Sequence, residues 1–250
     1  MVSIVIPVYN QADKLSRCLD SILAQTILTS TQDLTPSLSF ARRGGLASQG
    51  EGVEVIIVND GSTDNINEIV TSYELRVTNF KVINQENRGS NPARNRGAKE
   101  ASGEYIIFCD ADIMMEPEML EVMLSTLEKN PQASYAYSSF KYGFKIFKLW
   151  PFDAEKLKKM PYIHTTSLIR REHSPGWDEN IKRLQDWDIW LTMLEQDRAG
   201  VWINKILFKA QGGGTISIWL PSFAYKFLPF LKGVKKYKAA EEIIRKKHGI

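Results

Sequence analysis

Residues 2–22, VSIVIPVYNQADKLSRCLDSI, hold two hydrophobic periods in succession. Val2 to Ile6 form a short apolar, β-branched run, the pattern of a strand buried on both faces. After the polar break at Asn10-Gln11, Leu15, Cys18, Leu19 and Ile22 recur at i, i+3, i+4 and i+7, which is one face of a helix. The alternation then repeats. VEVIIV (53–58) predicts a second buried strand, broken by GSTDN (61–65), whose residues suit a turn and a helix N-cap. A helix is expected over 66–73, a strand at FKVI (80–83), a short helix over 93–101 and a fourth strand at EYIIFC (104–109). Pro117 suits a first helical turn, and Leu120, Met123, Leu124 and Leu127 make one apolar face after it. Strand–helix alternation of this kind implies an α/β fold, with a mostly parallel sheet flanked by helices.

In such sheets ligands bind beyond the carboxyl ends of the strands, and the polar clusters fall there. PVYN (7–10), NDGSTDN (59–65), NQENRG (84–89) and DAD (110–112) follow the four strands in turn. The last is the most telling. The apolar run Tyr105–Cys109 passes straight into Asp110 and Asp112, and unpaired carboxylates are costly to bury, so both acids should lie just past the strand. A hard cation such as Mg2+ or Mn2+ takes one or two carboxylates together with water and phosphate oxygens. The ordinary alternative is a turn whose aspartates cap the next helix.

The second half is mixed. Residues 135–150 are rich in aromatics and lysine, TTSLIRR (165–171) and WINKILF (202–208) suggest strands, and WDIWLTML (187–194) suggests an amphipathic helix. GGG (212–214) is expected to be a flexible turn, with no Lys-Ser/Thr after it to make a phosphate cradle. The Ser/Thr/Gly-rich segment 28–52 lacks a period and reads as a mobile insertion.

A 43% hydrophobic and 24% charged composition is that of an ordinary globular chain, and a net charge of +3 gives no case for a nucleic-acid partner. Cys18 and Cys109 belong to no Cys-x-x-Cys pair, so a metal knuckle or disulfide framework is not expected and a reducing compartment is. The strand-like start does not resemble a secretory signal, and no apolar run reaches bilayer length. Cytoplasmic residence is expected, with peripheral contact at the inner face of the cell membrane a second option. That option comes from 219–250, where aromatics and eight Lys/Arg accompany two Glu; a final helix with a solvated basic face explains the segment equally well.

Together, VSIVIPVYNQADKLSRCLDSILAQT, EVIIVNDGSTDN, NRGSNPARNRGAKEASGEYIIFCDAD and LQDWDIWL resemble the family 2 glycosyltransferases of GT-A fold. The resemblance covers residues 1–27 and 53–218. It implies a single GT-A-like domain over 1–218, with a nucleotide-sugar half to 112, an acceptor half over 113–218, and the segment 219–250 beyond. It implies inverting, metal-dependent transfer from a nucleotide-diphosphate sugar, most often a UDP-sugar, to a hydroxyl of a carbohydrate or lipid-linked acceptor. Pro7, Val8, Tyr9 and Asn10 would border the nucleoside, Asp60 would hydrogen-bond the base, and Arg88 and Arg94 would line the base and diphosphate pocket. Asp110 would contact the ribose or the metal, and Asp112 would ligate the metal. Asp186 matches the general base, with Asp188 as rival. Gln185 departs from the family's frequent Glu-Asp pair, and Asn59 stands where an acid is common.

A helix N-cap is the bland role for Asp186, and it is compatible with base function. His164, His173 and His248 show no metal-ligand spacing and are expected to be structural or superficial. Two other classes compete. A sugar nucleotidyltransferase would need a Gly-rich basic loop after strand one, where PVYNQAD stands; a non-catalytic nucleotide-sugar binder would show binding without transfer.

Overall fold

The computed structural model describes residues 1–29, 52–74, 79–211, 228 and 230–250. The proposed insertion beyond Thr29, the GGG turn and the aromatic stretch 219–227 lie outside the described residues.

Strands β1 (Val2–Val8), β2 (Val53–Asp60), β3 (Phe80–Gln85) and β4 (Tyr105–Phe108) pair in parallel in the order β3-β2-β1-β4. Every residue of β1 and β2 is buried, as expected of apolar runs covered on both faces. Helices α1 (Ala12–Leu23), α3 (Ile66–Glu74) and α4 (Ser90–Glu100) connect these strands, with a four-residue turn of helix, α2 (Thr26–Thr29), after α1. α1 buries Leu15, Cys18, Leu19 and Ile22, the predicted stripe. Each such aliphatic side chain contributes roughly 1.5–3 kcal/mol by leaving water. α4 begins three residues before the predicted start, with Gly89 as its N-cap and Pro92 inside the first turn. It lies so close to the sheet that a Cβ on Gly97 would overlap the side chain of Val5 and press on Val58.

The second half completes one mixed sheet. β5 (Ile113–Met115) precedes α5 (Met119–Lys129); β6 (Tyr135–Tyr142) and β7 (Lys145–Phe147) make a hairpin from the aromatic stretch. Then come α6 (Ala154–Lys159), β8 (Leu168–Arg170), α7 (Gln185–Glu195), β9 (Gly200–Ala210) and α8 (Lys232–His248). β8 pairs antiparallel with β4 and β6, β9 runs parallel to β6, and β5 closes the edge against β9. The predicted strand 165–171 is only three residues long, because Thr165 and Thr166 belong to a turn around His164. Among the described residues no helix is long and apolar enough to cross a membrane.

Candidate active site

The loops after β1, β2 and β3 are stitched together by side chains. Asn10, at φ 50°, accepts from the Thr63 N–H at 2.8 Å and donates its own N–H to Ser62 Oγ at 3.1 Å. Asn59 accepts from the Ser62 N–H at 3.0 Å and donates to Asn84 Oδ1 at 2.9 Å. Gln11 caps α1 without a side-chain bond, and Asp64 supplies the missing acceptor to the Ala12 N–H at 2.9 Å. Asp60 is buried, and it organises the next loop. Its Oδ1 takes the Gln85 side-chain N–H at 2.8 Å and the Arg88 N–H at 2.9 Å, and its Oδ2 takes the Gly89 N–H at 2.8 Å. The residue expected to read a base thus first fixes the entry to α4.

Backbone pairing to β1 continues one residue past β4, through the Cys109 N–H and Val5 carbonyl at 2.9 Å. The chain then turns, and Asp112 is pinned to the end of β9 by the Gln211 N–H at 3.0 Å. Arg94, on α4, is buried and reaches across. One terminal nitrogen donates to Asp110 Oδ1 at 2.7 Å; the other donates to Asn91 Oδ1 at 3.0 Å and to Gln185 Oε1 at 3.1 Å. The guanidinium lies over Trp177, 4.6 Å from the ring centre, and its Nε has no partner among the described residues. A buried guanidinium held this way is a fixed positive charge facing the two aspartates.

Asp186 arrives from the opposite wall. Leu184, at φ 55° and ψ 36°, is the N-cap of α7, so Asp186 sits one residue inside the helix instead of capping it. Its Oδ1 accepts from the Trp187 N–H at 2.9 Å. The rival Asp188 points elsewhere. It is buried, and its Oδ1 is held by Lys247 at 2.7 Å and His248 Nε2 at 2.9 Å, both from the last turn of α8. His248 Nδ1 also meets Glu195 at 2.8 Å, and Lys247 meets Asp178 at 2.8 Å.

These walls enclose an open cleft of about 430 Å3. Of the residues singled out from the sequence, Pro7, Val8, Tyr9, Asp60, Arg94, Asp110, Asp112 and Asp186 line it. Tyr9 is exposed at its mouth. Asn10 shapes a wall without lining it, Arg88 is turned outward to Glu179 at 3.4 Å, and Asp188 belongs to the α7–α8 contact. His164 lines the cleft, although its spacing gave no sign of it. Its Phe140 and Phe208 neighbours come from β6 and β9, so no local sequence pattern could have placed it there. Cys18 and Cys109 are buried free thiols 3.7 Å apart, and the Cys109 thiol is pushed up by its bond to Cys18 and by burial.

Charge is under tension in the cleft. Burial pushes Asp112 up to about 6, Asp110 adds to the rise, and Lys14 opposes it. Burial also pushes Asp186 up to about 6, against the Trp187 N–H and the Arg94 charge. Among the described residues no group of three or more His, Cys, Asp and Glu side chains is placed to hold a metal alone. Two adjoining carboxylates, one destabilised by the other, nevertheless fit a hard cation whose remaining ligands are phosphate oxygens and water.

A GT-A-like fold is the class this architecture defines. TarS from S. aureus, solved with UDP-GlcNAc, superposes with a TM-score of 0.66 at 19% identity, covering 92% of this chain and 64% of that one. The mannosyltransferase PcManGT from Pyrobaculum calidifontis, solved with GDP-Man and Mn2+, gives 0.63 at 15% identity, over 96% of this chain and 73% of that one. Residues 3–189 match the family model described as Glycosyl transferase family 2, and the chain belongs to that family. The glycosyltransferase YibD of Escherichia coli is 33% identical over 124 residues, which cover 50% of this chain and 29% of YibD. The chain therefore spans about a third of the length of such curated relatives.

Proposed function

We propose that the chain transfers a sugar, with inversion, from a nucleotide-diphosphate donor, a UDP-sugar, to an acceptor hydroxyl in a metal-dependent reaction. The observation that carries this is the convergence of Asp110, Asp112, Arg94 and Asp186, from three separate elements, on one cleft at the carboxyl ends of the parallel strands. Pro7, Val8, Tyr9 and Asp60 form the end suited to a nucleoside, with Tyr9 free to pack on a base. Arg94 supplies fixed positive charge toward a diphosphate. Asp110 and Asp112 would hold Mg2+ or Mn2+, which when bound supplies charge stabilisation to the departing diphosphate.

Asp186 receives the proton of the attacking hydroxyl. Burial poises it for that task, since a carboxylate near 6 is mostly ionised at neutral pH yet a far better base than a solvated one. Inversion follows from this layout if the acceptor enters from the α7 wall, opposite the leaving diphosphate. Gln185 fits as a neutral partner of Arg94, leaving that charge to act on Asp110 and Asp186.

For the acceptor, the outward face of α8 supports a lipid-linked molecule at an anionic membrane surface. Lys232, Lys235, Lys236 and Lys246 share that face with exposed Ile243, and Phe230 is exposed just before it. Binding and turnover should be measured with a panel of sugar nucleotides, with and without Mn2+. Transfer or slow hydrolysis that requires the metal supports the proposal; tight binding with neither reaction identifies a non-catalytic binder.

A further inference from the structure

We propose that His164 determines sugar specificity, its imidazole Nε2–H donating a hydrogen bond to a hydroxyl of a bound sugar. This rests on the nucleotide-sugar reading of the cleft and adds a residue to it that the sequence motifs do not contain.

Three observations converge. His164 lines the cleft that also holds Asp110, Asp112 and Asp186. Its ring is held against two aromatic side chains that stack on each other, with centroids 5.0 Å from Phe140 and 5.0 Å from Phe208. Its Nδ1 accepts the backbone N–H of Thr166 at 3.1 Å, with Thr165 Oγ1 at 3.4 Å. A backbone N–H can only donate, so Nδ1 is the unprotonated nitrogen and the ring proton of the neutral imidazole resides on Nε2. Nε2 has no partner among the described residues, and it is not among the closed-off polar atoms left unpartnered. It is therefore a fixed donor open to the cleft.

The chemistry of the surroundings selects the acceptor atom. Burial, aided by the Arg94 charge and opposed by Asp110, pushes His164 down to about 4, so it is a neutral donor at physiological pH. Phosphate oxygens entering this cleft would be met by the Arg94 guanidinium, which is paired with Asp110, and by the carboxylate pair that suits a cation. An uncharged donor on a rigid aromatic platform suits an uncharged oxygen, and sugar hydroxyls are what a glycosyltransferase cleft must distinguish. A site built to hydrogen-bond a hydroxyl discriminates strongly against analogues that lack it.

The test uses the whole chain, His164→Phe and His164→Gln, with UDP, GDP and their common sugar conjugates as probes in the presence of Mn2+. His164→Phe should bind the free nucleotide diphosphate within about twofold of wild type. It should lose ~5–10-fold either in sugar-nucleotide affinity or in acceptor KM, as expected for one neutral hydrogen bond. The first outcome assigns the hydroxyl to the donor sugar, the second to the acceptor. His164→Gln, whose carboxamide can present an N–H in a similar place, should recover part of the loss. Should His164→Phe fail to fold, His164→Leu read with deoxy-sugar analogues keeps the test: wild type should bind one deoxy analogue ~5–10-fold more weakly than its parent, and the variant should bind both alike. The proposal is overturned if the variants leave both quantities unchanged, or if nucleotide and sugar nucleotide weaken equally. Wild type that binds neither nucleotides nor sugar nucleotides would instead sink the donor-site reading, and this inference with it.

Discussion

Asp186→Asn should separate chemistry from stability in one variant. In the folded chain burial raises the Asp186 carboxyl from an ordinary 3.8 to about 6. A carboxyl with a raised folded pKa stabilises the fold fully below its unfolded value and loses that contribution as pH climbs through the folded one. The relevant window is therefore about pH 4 to 6. Two units correspond to about 3 kcal/mol, an upper figure for what wild type gives up at neutral pH to keep this half-buried carboxylate ionised. Asparagine has nearly the same shape and no charge. The variant should exceed wild type in stability by about 2–3 kcal/mol at pH 8, or roughly 5–10 °C in Tm, and the gap should close by pH 4. Turnover should fall about 10²–10⁴-fold while free nucleotide affinity is kept. Denaturant titrations from pH 4 to 8, with product assays on the same preparations, give both quantities. A stability difference that is absent or indifferent to pH would mean that the carboxylate is not desolvated. Unchanged turnover would remove Asp186 as the base.

Asp112→Asn should abolish the dependence of nucleotide-sugar affinity on Mn2+, leaving a weak metal-independent remainder; calorimetry with and without the metal reads it, and an unaltered metal response would place the cation elsewhere. His248→Ala should cost about 1–3 kcal/mol below pH 6.5, because Asp188 stays buried with Lys247 as its remaining partner. Acid partners raise His248 above its ordinary 6.5 against the opposing effect of burial, so that contribution should fade as pH rises past 6.5, and a pH-independent loss in unfolding titrations would contradict it. Gly97→Val should destabilise by about 1–3 kcal/mol or more, since its side chain would occupy the space of Val5 and Val58; a thermal melt indistinguishable from wild type would show that α4 can retreat from the sheet.

The parallel half was legible because each strand is covered on both faces. Burial there imposes unbroken apolar runs such as VEVIIV, and the polar residues after each run have nowhere to lie except the strand ends. The aspartates that line the cleft after β4 could be picked out for the same reason. The antiparallel half gave weaker signals. β5 and β8 are three residues each, too short to show a period, and β8 exists because β4 and β6 flank it. α4 starts earlier than its sequence predicts because Asp60, thirty residues upstream of Ser90, fixes that start through the N–H groups of Arg88 and Gly89.

The same distinction bears on the two α7 aspartates, which the sequence ranks, Asp186 before Asp188, by family resemblance alone. Asp186 and Asp188 share a helical turn and differ only in what faces them. Asp188 meets Lys247 and His248 from about 60 residues further along the chain, and that pairing makes it a fastening between α7 and α8. Asp186, with one backbone N–H and no cation in direct contact among the described residues, lines the cleft with its carboxyl pushed up to about 6 by burial. A motif specifies which residue types are present, whereas proton affinity is set by partners that the motif does not contain. Exchanging the two environments is a decisive trial of that principle here. Removing both Lys247 and His248 should leave Asp188 buried and uncompensated, lowering stability in denaturant titrations by about 3–5 kcal/mol, and should not create a second base, because its carboxylate still faces α8 and away from the cleft.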